Sequence, residues 1–162
     1  MPVEAYCRPF RWTEHHMAAS GSVLLLVGSA CSAVAGLLHL GCIVFGGSWY
    51  RAFGAGEAMA RMADAGHWRP TVVTLAIATV LFVWAYYALA ATGYGYRPPL
   101  LRVVLVGVTL IYLLRGLVFL PLMKVFPDNS LSFWVISSGV CLLIGSIHAL
   151  GLLKAWPRLS QL

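Results

Sequence analysis

Four apolar runs constrain this chain more than anything else in it. Residues 21–45, 71–91, 103–123 and 133–153 each reach the ~20 residues that a helix needs to cross a hydrocarbon core. The first two contain no Asp, Glu, Lys or Arg. The third contains Arg115, and the fourth contains no such charge but holds His148. The expected fold class is therefore all-α: a polytopic membrane protein built as a four-transmembrane-helix bundle. The expected organisation is a polar cytoplasmic N-terminal segment (1–20), a membrane domain (21–154) and a short C-terminal tail (155–162).

Composition agrees with lipid as the main solvent. The chain is 60% hydrophobic and 10% charged, whereas about a quarter of a soluble domain is charged. A net charge of +6 is no nucleic-acid signal here, because the basic residues flank apolar runs instead of forming a patch. Cys7, Cys31, Cys42 and Cys141 form no C-x-x-C pair. No disulfide framework, structural metal or cofactor is expected from them. A cleaved signal peptide is not expected either, because a polar segment precedes the first run and the run stays apolar past Ala33 and Ala35.

The run ends are marked. Trp49, Tyr50, Trp68, Tyr94, Tyr96, Trp134 and Trp156 flank them, as amphipathic rings do at headgroup level. Pro98 and Pro99 break the chain between runs two and three. Pro127 to Ser130 make a turn and an N-cap for the fourth. Arg8, Arg11, Arg97, Arg102, Lys154 and Arg158 lie on one side, against Arg51, Arg61, Arg69 and Lys124 on the other. That bias places both termini in the cytoplasm, with a bacterial inner membrane as the expected location. In the first loop, Ala55, Met59 and Met62 share one helical face, and Glu57, Arg61 and Asp64 the other. This predicts a short interfacial helix over 55–65 with a Glu57–Arg61 pair.

Small residues mark where helices approach in lipid. Gly28, Ser32, Ala35, Gly36 and His39 make such a stripe in run one. Thr71, Thr74, Ala78, Ala85, Ala88 and Thr92 make one in run two, and Ser138, Cys141, Gly145 and His148 one in run four. The third run offers none.

Chemistry, if any, falls to the few polar residues inside the runs. A charge near mid-span costs at least about 2.5–3.5 kcal/mol unless paired or wetted. Arg115 is therefore either an anion or carboxylate site or a structural donor to carbonyls freed by Pro121, which kinks its helix. Counted from the run centres, His39 lies near the level of Arg115. With Tyr112, Trp49, Tyr50 and Glu57 these form a candidate ligand-binding pocket beneath the first loop. His148 counts to a level nearer the cytoplasm, roughly 15 Å from His39 in depth. It makes a second polar site and argues against one shared haem or metal. No Asp or Glu lies inside a run, which disfavours a proton-coupled carrier, and no phosphate loop, H-E-x-x-H or G-x-S-x-G occurs. Three functions stay open. The first is a non-catalytic accessory or immunity-type protein that binds lipid, a membrane-protein partner or a second copy of itself. The second is a carrier or binding protein for a small anionic or amphipathic molecule, using Arg115 and His39. The third is a membrane enzyme using His39 or His148 as acid–base.

Overall fold

The computed structural model describes residues 10–125 and 127–160, with side chains from residue 19 onward. Among these residues seven helices follow in order: α1 (Phe10–Phe45), α2 (Gly47–Ala52), α3 (Glu57–Asp64), α4 (Trp68–Ala91), α5 (Leu101–Leu117), α6 (Phe119–Val125) and α7 (Leu131–Ser160). No strand occurs among the described residues. Helices α4 and α7, with the Ala19–Phe45 part of α1, are long and apolar enough to cross a membrane. A fourth crossing is complete if α5 and α6, bent by 69°, count as one. The chain is thus an all-helical integral membrane protein with three to four candidate crossings.

The third run is where the fold departs from expectation. The run over 103–123 was expected as a single kinked helix; it is two helices that meet at a sharp break. Pro121 has no N–H for the Leu117 carbonyl, and Val118 leaves helical geometry at φ −87°, ψ 28°. The helix ends differ elsewhere too. Helix α1 begins at Phe10, inside the expected polar N-terminal segment, and α7 runs through Pro157 to Ser160, inside the expected C-terminal tail. Ser130 caps α7 as expected, accepting the Phe133 N–H at 3.2 Å.

Helix α1 packs against α4 and α7, and α7 also packs against α5. Glycines carry these approaches. A Cβ on Gly151 would touch Leu25 at 3.0 Å, one on Gly36 the Phe82 ring at 3.0 Å, and one on Gly145 Leu113 at 2.8 Å. The third run contributes one after all: Gly116 lets Leu142 within 2.5 Å of its Cβ position. Ser29 Oγ donates to the Ala85 carbonyl at 2.7 Å across the α1–α4 seam.

Two links define the ends of the bundle. Asn129 Nδ2 donates to the Gly54 carbonyl at 2.9 Å, tying the start of α7 to the first loop. At the other end, the Arg158 guanidinium donates to the carbonyls of Ala91 and Thr92, tying the end of α7 to the end of α4. Helices α1, α4, α5 and α7 therefore alternate in direction.

Candidate functional site

The last turn of α5 brings one cation against α7. The Arg115 guanidinium carbon stands 5.4 Å from the Trp134 ring centre, and Nη2 donates to Ser137 Oγ across a long 3.5 Å. The position suits a cation, since helix C-termini carry negative partial charge. Trp134 is 2% exposed and Ser138 4%. These two residues are one helical turn apart on α7, so they share a face. Arg115 Nη1, Trp134 Nε1 and Ser138 Oγ are all buried without a hydrogen-bond partner among the described residues. Guanidinium and indole N–H groups only donate. What this corner lacks is an acceptor, and each buried polar group left unmatched costs about 1–3 kcal/mol.

A second polar group forms at the centre of the bundle. His148 is fully buried, and its ring centre lies 5.6 Å from that of Tyr112. Tyr112 and Ser32 hydroxyls share a 3.0 Å hydrogen bond. The His148 Nδ1–H donates to the Ile144 carbonyl at 3.2 Å, leaving Nε2 unpartnered among the described residues. Cys31 and Cys141 pack beside Tyr112. Gly28 makes room for the histidine: a Cβ there would lie 2.5 Å from the imidazole Cε1.

The first loop is a packed unit. Gly46, at φ +70°, turns the chain out of α1, a conformation only glycine adopts without strain. Arg51 then grips α3 with a bidentate bond to Glu57 (2.8 and 3.0 Å) and a third bond to Asp64 at 3.0 Å. These bonds hold the Glu57 carboxyl below the usual carboxylate range and push the Arg51 guanidinium up. The expected Glu57–Arg61 pair exists but is the looser contact, at 4.0 Å. The helix over 55–65 forms as α3, and its apolar face is covered by protein. Ala60, Met59 and Ala63 pack with Cys42, Tyr50 and Trp49. Tyr50 is buried and donates to Thr74 Oγ1 at 3.0 Å, while Trp49 stacks on Phe45 at 4.4 Å.

The residues expected in one pocket are thus distributed over three places. Trp49, Tyr50 and Glu57 build the loop unit. Tyr112 belongs with His148 and Ser32. Arg115 stands with Trp134, Ser137 and Ser138. The His39 Nδ1–H donates to the Ala35 carbonyl of its own helix at 2.8 Å, and no hydrogen bond joins it to Arg115 among the described residues. Trp134 was missed because it read as a headgroup-level ring. The signal was present: the small-residue stripe of α7, continued one turn back from Ser138, reaches it. Among the described residues no group of three or more His, Cys, Asp or Glu could hold a metal. No protein-family model matches this chain, and neither does any curated protein or solved structure.

Proposed function

We propose that this protein is a non-catalytic binder of an anionic amphiphile, whose carboxylate or phosphate headgroup is held by Arg115, Trp134 and Ser138. The observation that carries this is the set of three buried polar groups, two of them donors only, with no acceptor. An acidic headgroup supplies several acceptor oxygens at once, and a guanidinium engages them in its fixed fork. The site belongs to a four-crossing bundle, with α5 and α6 together as the third crossing and both termini in the cytoplasm of a bacterial inner membrane. Helix α3 then lies at the opposite interface. The alternating helix directions and the Lys/Arg bias support that arrangement. Lipid is accordingly the partner in this reading, in preference to a protein.

The test compares laurate with lauryl alcohol, which share a tail and differ in charge, by thermal melting in a neutral detergent. Laurate should raise the melting temperature of the wild type and the alcohol should not. Arg115→Gln should fold and lose the response, and Trp134→Phe, which keeps the ring but not the N–H, should weaken it. If Arg115→Gln responds to laurate as the wild type does, the proposal fails. It fails equally if the wild type ignores laurate while Arg115→Gln is less stable without any ligand, which is the behaviour of a purely structural arginine.

A further inference from the structure

The opposite end of the bundle carries a second cationic feature, unrelated to Arg115. A cleft of about 310 Å³ opens between the start of α5 and the end of α7. Its walls are Leu100, Leu101, Val103 and Leu159, and Arg97 and Arg102 stand in its lining. The apolar residues are not spent on packing alone: Leu100 is 72% exposed and Val103 66%.

Neither arginine has an acidic partner among the described residues. Among the described residues every ion pair lies in the first loop, around Arg51 and Glu57. Arg102 stacks over the exposed Trp156 ring at 5.7 Å. Arg158, the next cation along, is committed to the carbonyls that end α4. No acid occupies the first turn of α5 and no side chain caps it, so the helix dipole adds to the positive potential there. Leu100 takes a left-handed φ of +56° at this junction, a conformation costing an L-residue about 1–2 kcal/mol. It holds the leucine outward beside the two arginines.

We propose that this cleft is a binding site for an anionic glycerophospholipid. The phosphate sits between Arg97 and Arg102, and the first methylenes of an acyl chain lie along Leu100, Val103 and Leu159. A guanidinium pair recognises phosphate whether free or esterified. The apolar walls beside the pair commit the site to the lipid, because free phosphate gains nothing from them. The Trp156 ring under Arg102 marks the headgroup level at which such a phosphate lies.

The site is tested on the full chain in neutral detergent by native mass spectrometry, with equimolar phosphatidylglycerol and phosphatidylcholine. The wild type should retain the anionic lipid over the zwitterionic one by on the order of tenfold, as expected for two basic residues near a headgroup. Arg97→Gln with Arg102→Gln should bring the ratio near one, and the double lysine variant should keep most of the preference. Millimolar inorganic phosphate should not displace the lipid. The ratios are compared in an Arg115→Gln background, so that no anionic headgroup held at the other site contributes, and this site and the laurate response fail separately. A second measurement needs no charge variant. Phosphatidylglycerol brominated on the acyl chains should quench the emission of the protein in nanodiscs more than brominated phosphatidylcholine, and Trp156→Phe should remove the difference. An unchanged ratio in the double glutamine variant overturns the proposal, as does equal quenching by the two lipids or displacement by inorganic phosphate.

Discussion

Replacing Gly28 with alanine gives a quantitative test of how the bundle centre is packed. A Cβ at Gly28 would lie 2.5 Å from His148 Cε1 and 2.6 Å from Nδ1. To restore a contact of about 3.5 Å the ring must retreat by about 1 Å. It has nowhere to go, being fully buried, bonded to the Ile144 carbonyl and backed by Tyr112, which is itself tied to Ser32. Overpacking of this kind costs about 1–3 kcal/mol. Alanine returns about 0.8–1.0 kcal/mol of helix propensity, so the net loss should be about 0–2 kcal/mol. Gly107 and Gly139 are the controls, because nothing lies within 4 Å of a Cβ at either. There the same change should stabilise by the propensity term alone. Gly36, at 3.0–3.2 Å from the Phe82 ring, should fall between. Reversible unfolding in a mild detergent, read by circular dichroism, gives the order Gly139→Ala, Gly36→Ala, Gly28→Ala from most to least stable. Adding His148→Ala to Gly28→Ala should remove the penalty specific to the pair. The reasoning fails if Gly28→Ala is as stable as Gly139→Ala, or if the His148 change leaves its penalty intact.

Other outcomes are equally definite. Asn129→Ala should cost about 1 kcal/mol by leaving the Gly54 carbonyl unpartnered, with faster amide exchange confined to the first loop and the start of α7. The Glu57 pKa is depressed by Arg51, so the clamp's contribution is full above the usual carboxylate value of 4.5 and is lost as pH falls through the lower folded value. Protection of the α3 amides, taken relative to their intrinsic exchange rates, should therefore fall as pH drops below the usual carboxylate value of 4.5 in the wild type, and Arg51→Gln should already show the lower protection at pH 7. Reporter fusions at the two ends of the chain should fall on the same side of the membrane, with a fusion in the first loop on the other; termini on opposite sides would refute four crossings.

Much of the packing was legible because it rests on residue size and helical period. The stripe of Gly28, Ser32 and Gly36 faces its partners, as do Thr74, Ala78, Ala85 and Ala88 on α4 and Gly145 and His148 on α7. What was lost depended on where helices end. Ser32 is the middle residue of the crossing Ala19–Phe45. Tyr112 lies just past the middle of Leu101–Leu117, and His148 just past the middle of Leu131–Ser160. The depth count groups Tyr112 with Arg115 and sets His148 at a separate level, although the two rings lie 5.6 Å apart. The Arg51 clamp was invisible for another reason. Periodicity pairs residues on one helix, but the turn over 53–56 folds α2 back onto α3, and Arg51 outcompetes the in-helix Arg61. Trp134 shows that an aromatic ring near a run end carries two meanings, and only the stripe it continues distinguishes them.

The break at Val118 has a consequence for the lipid itself. Helix α5 is 17 residues long, which at ~1.5 Å per residue spans about 25 Å, less than the ~30 Å of a typical hydrocarbon core. Helix α6 departs at 69° and none of its residues is buried, so it adds width more than height. On the proposed reading of α5 and α6 as the third crossing, lipids alongside α5 shorten or tilt to match it. Headgroups are then drawn inward on the side where Arg115 closes the helix, next to the only Asp, Glu, Lys or Arg inside the four apolar runs.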